Sequence, residues 1–153
     1  MIFLSLGSSI GNAEKIFRST EEFLENSNIK VLKKSQILKN PPLGEVAKNE
    51  FSNAVWQIET DVTPEELLKT LKSCETTHGR DLDAERWSDR LLDLDILTFN
   101  NEIINTETLK IPHPEIPNRI FVLQPWSEIV DENFKIPKFG TLKSLLTRQL
   151  VNK

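Results

Sequence analysis

The stretch from Gly79 to Asp95, GRDLDAERWSDRLLDLD, gathers the side chains best suited to chemistry in this chain. Arg80, Arg86 and Arg90 surround Trp87 in a segment with neither helical nor strand periodicity. It runs directly into an alternating segment that carries Asp93 and Asp95. Carboxylates separated by one residue of a strand share a face, with Cα atoms about 6.5–7 Å apart at roughly 3.3 Å per residue. That spacing lets both reach one divalent ion or a pair of ions. Cations beside such carboxylates suit a polyanion held together with a metal, as in phosphoryl-group chemistry on a nucleotide. The plainer alternative is a solvated strand face, but Asp is poor strand material, and solvation does not explain two of them between core-like leucines.

Such groups need a scaffold. With 153 residues, 38% of them hydrophobic, the chain suffices for one domain with a real core, read as 1–153. A formal charge of -4 argues against nucleic acid or an anionic membrane as partner, so any anion must be caught by a local cluster. Cys74 is the only cysteine, which rules out an intrachain disulfide and suits the cytoplasm. The apolar start MIFLSLGSSIG lacks a basic leader, and no later run approaches a membrane span, so a soluble, unprocessed protein is expected.

Ile2 to Leu6 reads as a central strand ending in a turn at Gly7-Ser8-Ser9. Asn12 caps a helix whose inward face carries Ile16, Phe17, Phe23 and Leu24. Ile29 to Ile37 suits a strand, broken by Asn40-Pro41-Pro42-Leu43-Gly44 and a loop to about Asn49. Phe51 to Ile58 alternates, placing Trp56 and Ile58 in the core and Phe51 and Asn53 side by side on the opposite face. There a ring and an amide could read the face and edge of a heterocycle, the plainer reading being an aromatic on a partly covered sheet. Thr63-Pro64-Glu65-Glu66 starts a second helix with inward Leu67, Leu68, Leu71 and Cys74, ending at Gly79. Cys74 and His78, four apart, could in principle take a soft metal, but one other histidine in the chain leaves too few ligands.

Leu92, Leu94 and Ile96 alternate with the two aspartates in a further strand. Asn100-Asn101 then turns the chain into short arms at Glu102 to Asn105 and Leu109 to Ile111. His113 stands between two prolines in a rigid segment that could present it outward, Asn118 to Leu123 begins a helix or turn, and Thr141 to Leu150 is a last helix. Strand, helix, strand, strand, helix, strand is the order of an α+β ferredoxin-like sandwich with a largely antiparallel sheet. Both helices would pack on one sheet face, leaving Phe51, Asn53, Asp93 and Asp95 together on the other beneath the long loops.

Taken in order, the motifs form a recognisable set. Leu6-Gly7-Ser8, Pro41-Pro42-Leu43-Gly44, Phe51-Ser52-Asn53-Ala54, Glu75 with Gly79-Arg80, Glu85-Arg86-Trp87, Arg90 to Leu97, and Pro112-His113-Pro114 with Asn118-Arg119 and Phe121-Val122-Leu123 are collinear over nearly the whole chain. They resemble the 6-hydroxymethyl-7,8-dihydropterin pyrophosphokinases of folate synthesis. The resemblance implies transfer of a pyrophosphoryl group from ATP to the pterin hydroxymethyl oxygen with release of AMP. It implies that Asp93 and Asp95 hold two Mg²⁺ ions on the ATP phosphates, and that Arg80 and Arg90 close over those phosphates. Trp87 would touch both substrates and seal the site, with His113 and Arg119 on the nucleotide phosphates and Glu75 and Ile96 in the nucleotide pocket. Phe51 and Phe121 would sandwich the pterin, Asn53 would bond its pyrimidine-like edge, and backbone groups near Asn40 and Leu43 would assist. In this chain Ser9, Leu38 and Asn40 stand where the resemblance leads one to expect Asn, Tyr and Thr. Leu82, Asp83, Ser88 and Asp89 make the Gly79 to Arg90 lid less basic than it implies.

Two other readings share part of this pattern. A different two-metal nucleotide transferase would use Asp93 and Asp95 without needing Phe51, Asn53 and Phe121. A non-catalytic pterin- or nucleotide-binding ferredoxin-like module would keep the aromatic pocket without turnover. On each reading the partners are small molecules and the expected state is a monomer.

Overall fold

The first strand, β1 (Ile2–Ser8), is buried along its whole length because neighbours pair with both of its edges and packed layers cover both of its faces. In the computed structural model, which describes residues 1–9, 12–40, 51–78 and 91–151, it is followed by α1 (Ala13–Asn26), β2 (Lys30–Lys34), β3 (Leu38–Asn40) and β4 (Phe51–Glu59). Next come α2 (Pro64–Thr77) and β5 (Asp93–Phe99). The sheet order is β2-β4-β1-β5, with β3 also on β4, and all the pairings are antiparallel. This is the ferredoxin-like order, in which β1 is interior and β5 forms an edge.

The two helices begin where their caps dictate. Asn12 Oδ1 accepts the Lys15 N–H at 3.0 Å, and Thr63 Oγ1 accepts that of Glu66 at 3.2 Å, with Pro64 in the first turn. Ile16, Phe17 and Leu24 of α1 and Leu67, Leu71 and Cys74 of α2 then pack on Leu4, Leu6, Trp56, Ile58, Leu94 and Ile96. At roughly 1.5–3 kcal/mol for each fully buried large side chain, this layer is a main source of the fold's stability. The α2 helix closes at His78, whose backbone N–H donates to the Cys74 carbonyl. The His78 ring has Nδ1 2.8 Å from that carbonyl and Nε2 2.8 Å from Ser19 Oγ, so it ties α2 to α1. The expected stop at Gly79 lies outside the described residues.

Two sequence expectations change. The strand drawn from Ile29 to Ile37 ends at Lys34 and resumes as β3. Lys34 stands opposite Trp56 and Leu38 opposite Asn53, so four steps on one strand answer three on the other. Ser35 makes the break, since its N–H donates to the Val55 carbonyl while its hydroxyl accepts the Val55 N–H. A side chain there replaces a backbone carbonyl, and the strand slips by one residue.

The second change concerns the sheet face expected to lie under loops. Phe3, Val55 and Leu97 on that face are covered by α3 (Ile120–Trp126) and α4 (Leu142–Val151), which bury Val122, Leu123, Trp126, Leu142 and Leu145. Two short hairpins complete the chain: β6 (Ile104–Asn105) with β7 (Lys110–Ile111), and β8 (Lys135–Ile136) with β9 (Gly140–Thr141). Phe134 from the second of these meets Phe3 edge-on at 5.2 Å between centroids. Among the described residues, the end of this face near Gly7 is left uncovered by these helices, and the candidate site is there. No helix among the described residues is long and apolar enough to cross a membrane.

Candidate active site

A cleft of about 410 Å³ opens where β1, β4 and β5 end, and it is lined from β1 by Ser5 and Gly7 and from β4 by Phe51 and Asn53. Asp93 and Asp95 of β5, Lys72 and Glu75 of α2, and Arg119, Phe121 and Val122 around the start of α3 also line it. Because β5 is the edge strand, groups from α2 and α3 reach the cleft from the two faces of the sheet.

Asp93 and Asp95 are half-buried and stand opposite Gly7 and Ser5, whose small side chains leave room above the strand. The Arg119 guanidinium Nη1 lies 3.8 Å from Asp95 Oδ2. With both side chains partly exposed, this long ion pair contributes little to stability, but it fixes a cation beside the carboxylates.

His113 is half-buried, not displayed to solvent as its place between prolines suggested. Burial pushes its pKa below the ordinary 6.5 more than Asp95 raises it, and Arg119 also lowers it. Its Nδ1 accepts the Glu115 N–H at 3.1 Å, so the neutral ring carries its proton on Nε2. A neutral donor of this kind suits a phosphate oxygen.

Glu75 is buried, and its Oε2 accepts the Leu94 N–H at 2.8 Å on the outer edge of β5. By strand alternation the backbone of Ile96 faces the same edge. The Ile96 side chain does not reach the cleft: it is 4% exposed and packed in the core among the helices. Any part Ile96 takes in a nucleotide pocket therefore falls to its backbone.

The aromatic end of the cleft is built on β4. Asn53, also buried, is approached by Asn40 Nδ2 at 3.5 Å, a long contact to its Oδ1. A Cβ on Gly7 would lie 3.3 Å from Asn53 Nδ2 and 3.6 Å from Phe51 Cζ, so the glycine leaves the floor clear for both side chains. Phe51 and Phe121 meet edge to face, with centroids 6.0 Å apart and planes at 76°. This differs from the parallel sandwich that the resemblance implies. A flat bicycle between two rings needs two van der Waals separations of about 3.5 Å each, so one ring must turn as it enters.

The oxygen donors fit a divalent hard cation. Among the described residues no group of three or more His, Cys, Asp or Glu could hold a metal, and two carboxylates, Asp93 and Asp95, line the cleft. Mg²⁺ keeps several waters and is usually bound by one or two carboxylates plus substrate phosphates, which is the share these residues can provide.

Of the residues singled out from sequence, Phe51, Asn53, Glu75, Asp93, Asp95, Arg119 and Phe121 line this cleft, with Asn40 and His113 at its margins. Leu43, Arg80, Trp87 and Arg90 lie outside the described residues. Lys72 was not foreseen, since a lysine on an exposed helix face carries no signal in sequence.

A family model described as 7,8-dihydro-6-hydroxymethylpterin-pyrophosphokinase (HPPK) matches residues 3–131. The 2-amino-4-hydroxy-6-hydroxymethyldihydropteridine pyrophosphokinase of Haemophilus influenzae is 37% identical over 131 residues, 85% of this chain and 81% of that protein. The Bacillus subtilis protein of the same name is 38% identical over 131 residues, covering 85% and 78%. A solved Plasmodium falciparum HPPK-DHPS chain shares the fold with a TM-score of 0.76 at 14% identity, over 99% of this chain and 45% of that one. This chain thus spans less than half of that larger protein. A match over most of the sequence, relatives of this identity along most of their length, and a common fold place the chain in the 7,8-dihydro-6-hydroxymethylpterin-pyrophosphokinase family.

Proposed function

We propose that this chain transfers the pyrophosphoryl group of ATP to the hydroxymethyl oxygen of 6-hydroxymethyl-7,8-dihydropterin, a step of folate synthesis, and releases AMP. The observation that carries this reading is one cleft with two kinds of end. Phe51, Asn53 and Phe121 offer rings and an amide to a flat heterocycle, and Asp93, Asp95 and Arg119 stand beside them for phosphates and metal.

The hydroxymethyl oxygen forms a bond to the β-phosphorus, the bond from that phosphorus to the α,β-bridging oxygen breaks, and AMP leaves as the hydroxyl proton is lost. Such transfers depend chiefly on positioning and charge stabilisation. Asn53 fixes the pterin edge, and a ring analogue without its amide pattern would leave this buried side chain unpaired. Arg119 leaves Asp95 for a phosphate oxygen, and His113 donates from Nε2. Asp93 and Asp95 hold Mg²⁺, two ions being expected, which supplies the positive charge that the triphosphate requires. On the same reading the Gly79 to Arg90 lid brings Arg80, Trp87 and Arg90 over the phosphates, with backbone groups near Leu43 on the pterin. The protein then acts as a monomer on small molecules in the cytoplasm.

Purified protein given ATP, Mg²⁺ and the pterin should form AMP and pterin diphosphate in equal amounts. Asp95→Asn should lose more than tenfold in rate, over about 1.4 kcal/mol of barrier, with its fold intact. ADP as the nucleotide product would contradict the assignment.

A further inference from the structure

Lys72 is the one cleft-lining cation, besides Arg119, among the described residues, and nothing in the mechanism above uses it. It stands three positions before Glu75 on α2, hence on the same helix face, and lines the cleft from α2, while Arg119 lines it from the start of α3. Among the described residues its ammonium takes part in no ion pair or side-chain hydrogen bond, although Glu75, Asp93 and Asp95 line the same cleft. An exposed helical lysine is ordinarily just solvated. One turned into a cleft that must hold a tetra-anion, without a resident counter-ion, is placed to receive one.

The lid sequence adds a second reason. Leu82 and Asp83 hold positions where the family resemblance leads one to expect basic residues, so two cations are missing from the 79–90 stretch and an acid is gained. A lysine on a helix whose cap and core contacts fix it can supply positive charge from a fixed element. We propose that Lys72 binds the phosphate chain of the nucleotide as a cation on a fixed element. This rests on the nucleotide reading of the cleft. The lysine is a point charge on a flexible stem, so it serves affinity for a polyanion rather than the orientation of a reacting atom. Its removal should therefore act on nucleotide binding far more than on the chemical step.

The test is calorimetric titration of the intact protein with Mg·ATP and, separately, with adenosine, in the absence of pterin so that nothing turns over. Lys72→Met should weaken Mg·ATP roughly tenfold, about 1.4 kcal/mol, and leave adenosine unchanged, while Lys72→Arg stays within about threefold of wild type. The loss on Lys72→Met should shrink as salt rises, since the contact is partly exposed. In turnover, KM for ATP should rise and kcat stay near that of wild type. Mg·ATP binding to Lys72→Met and Lys72→Gln at wild-type strength would overturn the proposal, as would an equal loss for adenosine. Wild-type protein that binds no Mg·ATP would sink the nucleotide reading itself, and the role of Lys72 with it.

Discussion

Gly7 shows how much of the site depends on what a residue lacks. It lies within a strand and has no unusual backbone angle, so alanine there is conformationally acceptable and lowers the unfolded-state entropy. Its methyl group would nonetheless press on Asn53 at 3.3 Å and on Phe51 at 3.6 Å. Gly7→Ala is expected to leave Tm within a few degrees of wild type while weakening pterin binding several-fold, read by a thermal melt beside a pterin titration. Unchanged pterin affinity would mean that the amide and ring shift without cost. The aspartates make a related point. On the proposed reading, two carboxylates with Arg119 3.8 Å from one of them leave the metal site incomplete until phosphate oxygens arrive. Calorimetry should detect no saturable Mg²⁺ binding below the millimolar range without nucleotide and clear binding with it. Tight binding to the apo-protein would point to further ligands.

At the scale of elements, α2 ends beside the cleft. Its Cys74 is fully buried next to Glu75, and burial together with that carboxylate pushes the thiol pKa up to about 12. The thiol should therefore ignore an aromatic disulfide reagent at neutral pH in the folded protein and react at once in denaturant; rapid labelling of the native state would show that the end of α2 opens. The lid bears a prediction from its sequence alone. Asp83→Lys should tighten nucleotide binding or speed turnover, and an unchanged profile would show that the missing cation is already supplied elsewhere. Local signals located most elements. The Asn12 and Thr63 caps start α1 and α2 because their side chains bond the first free amides, and alternation from Phe51 separates Trp56 and Ile58 from Asn53. The break at Ser35 was not legible, since it depends on a hydroxyl meeting Val55 across the sheet. Nor was the β8–β9 hairpin, whose strands span two residues each and gain their burial from Phe3 and Trp126 far away in sequence. In the site, Asp93, Asp95 and Asn53 stand out as polar groups at odds with their strands, whereas Lys72 breaks no local rule and only tertiary placement gives it meaning.

For the whole molecule, a net charge of -4 means that anionic substrates are drawn in by a few cations placed in one cleft and not by the overall field. His113 links that cleft to stability. Its folded pKa is lowered by burial, so at pH values between that depressed value and 6.5 the unfolded chain binds more protons. Stability should accordingly fall as pH drops below about 6.5 and be regained on return to neutrality. Urea melts across roughly pH 5 to 7 should show a shallower slope for His113→Gln, and an identical slope would remove the ring as the source. The proposed transfer requires attack at the β-phosphorus of ATP, and ATP labelled there can be followed through a single turnover with the pterin and Mg²⁺. All transferred label should appear on the pterin and the AMP should be unlabelled; label retained in ADP would mean that the γ-phosphorus is attacked instead.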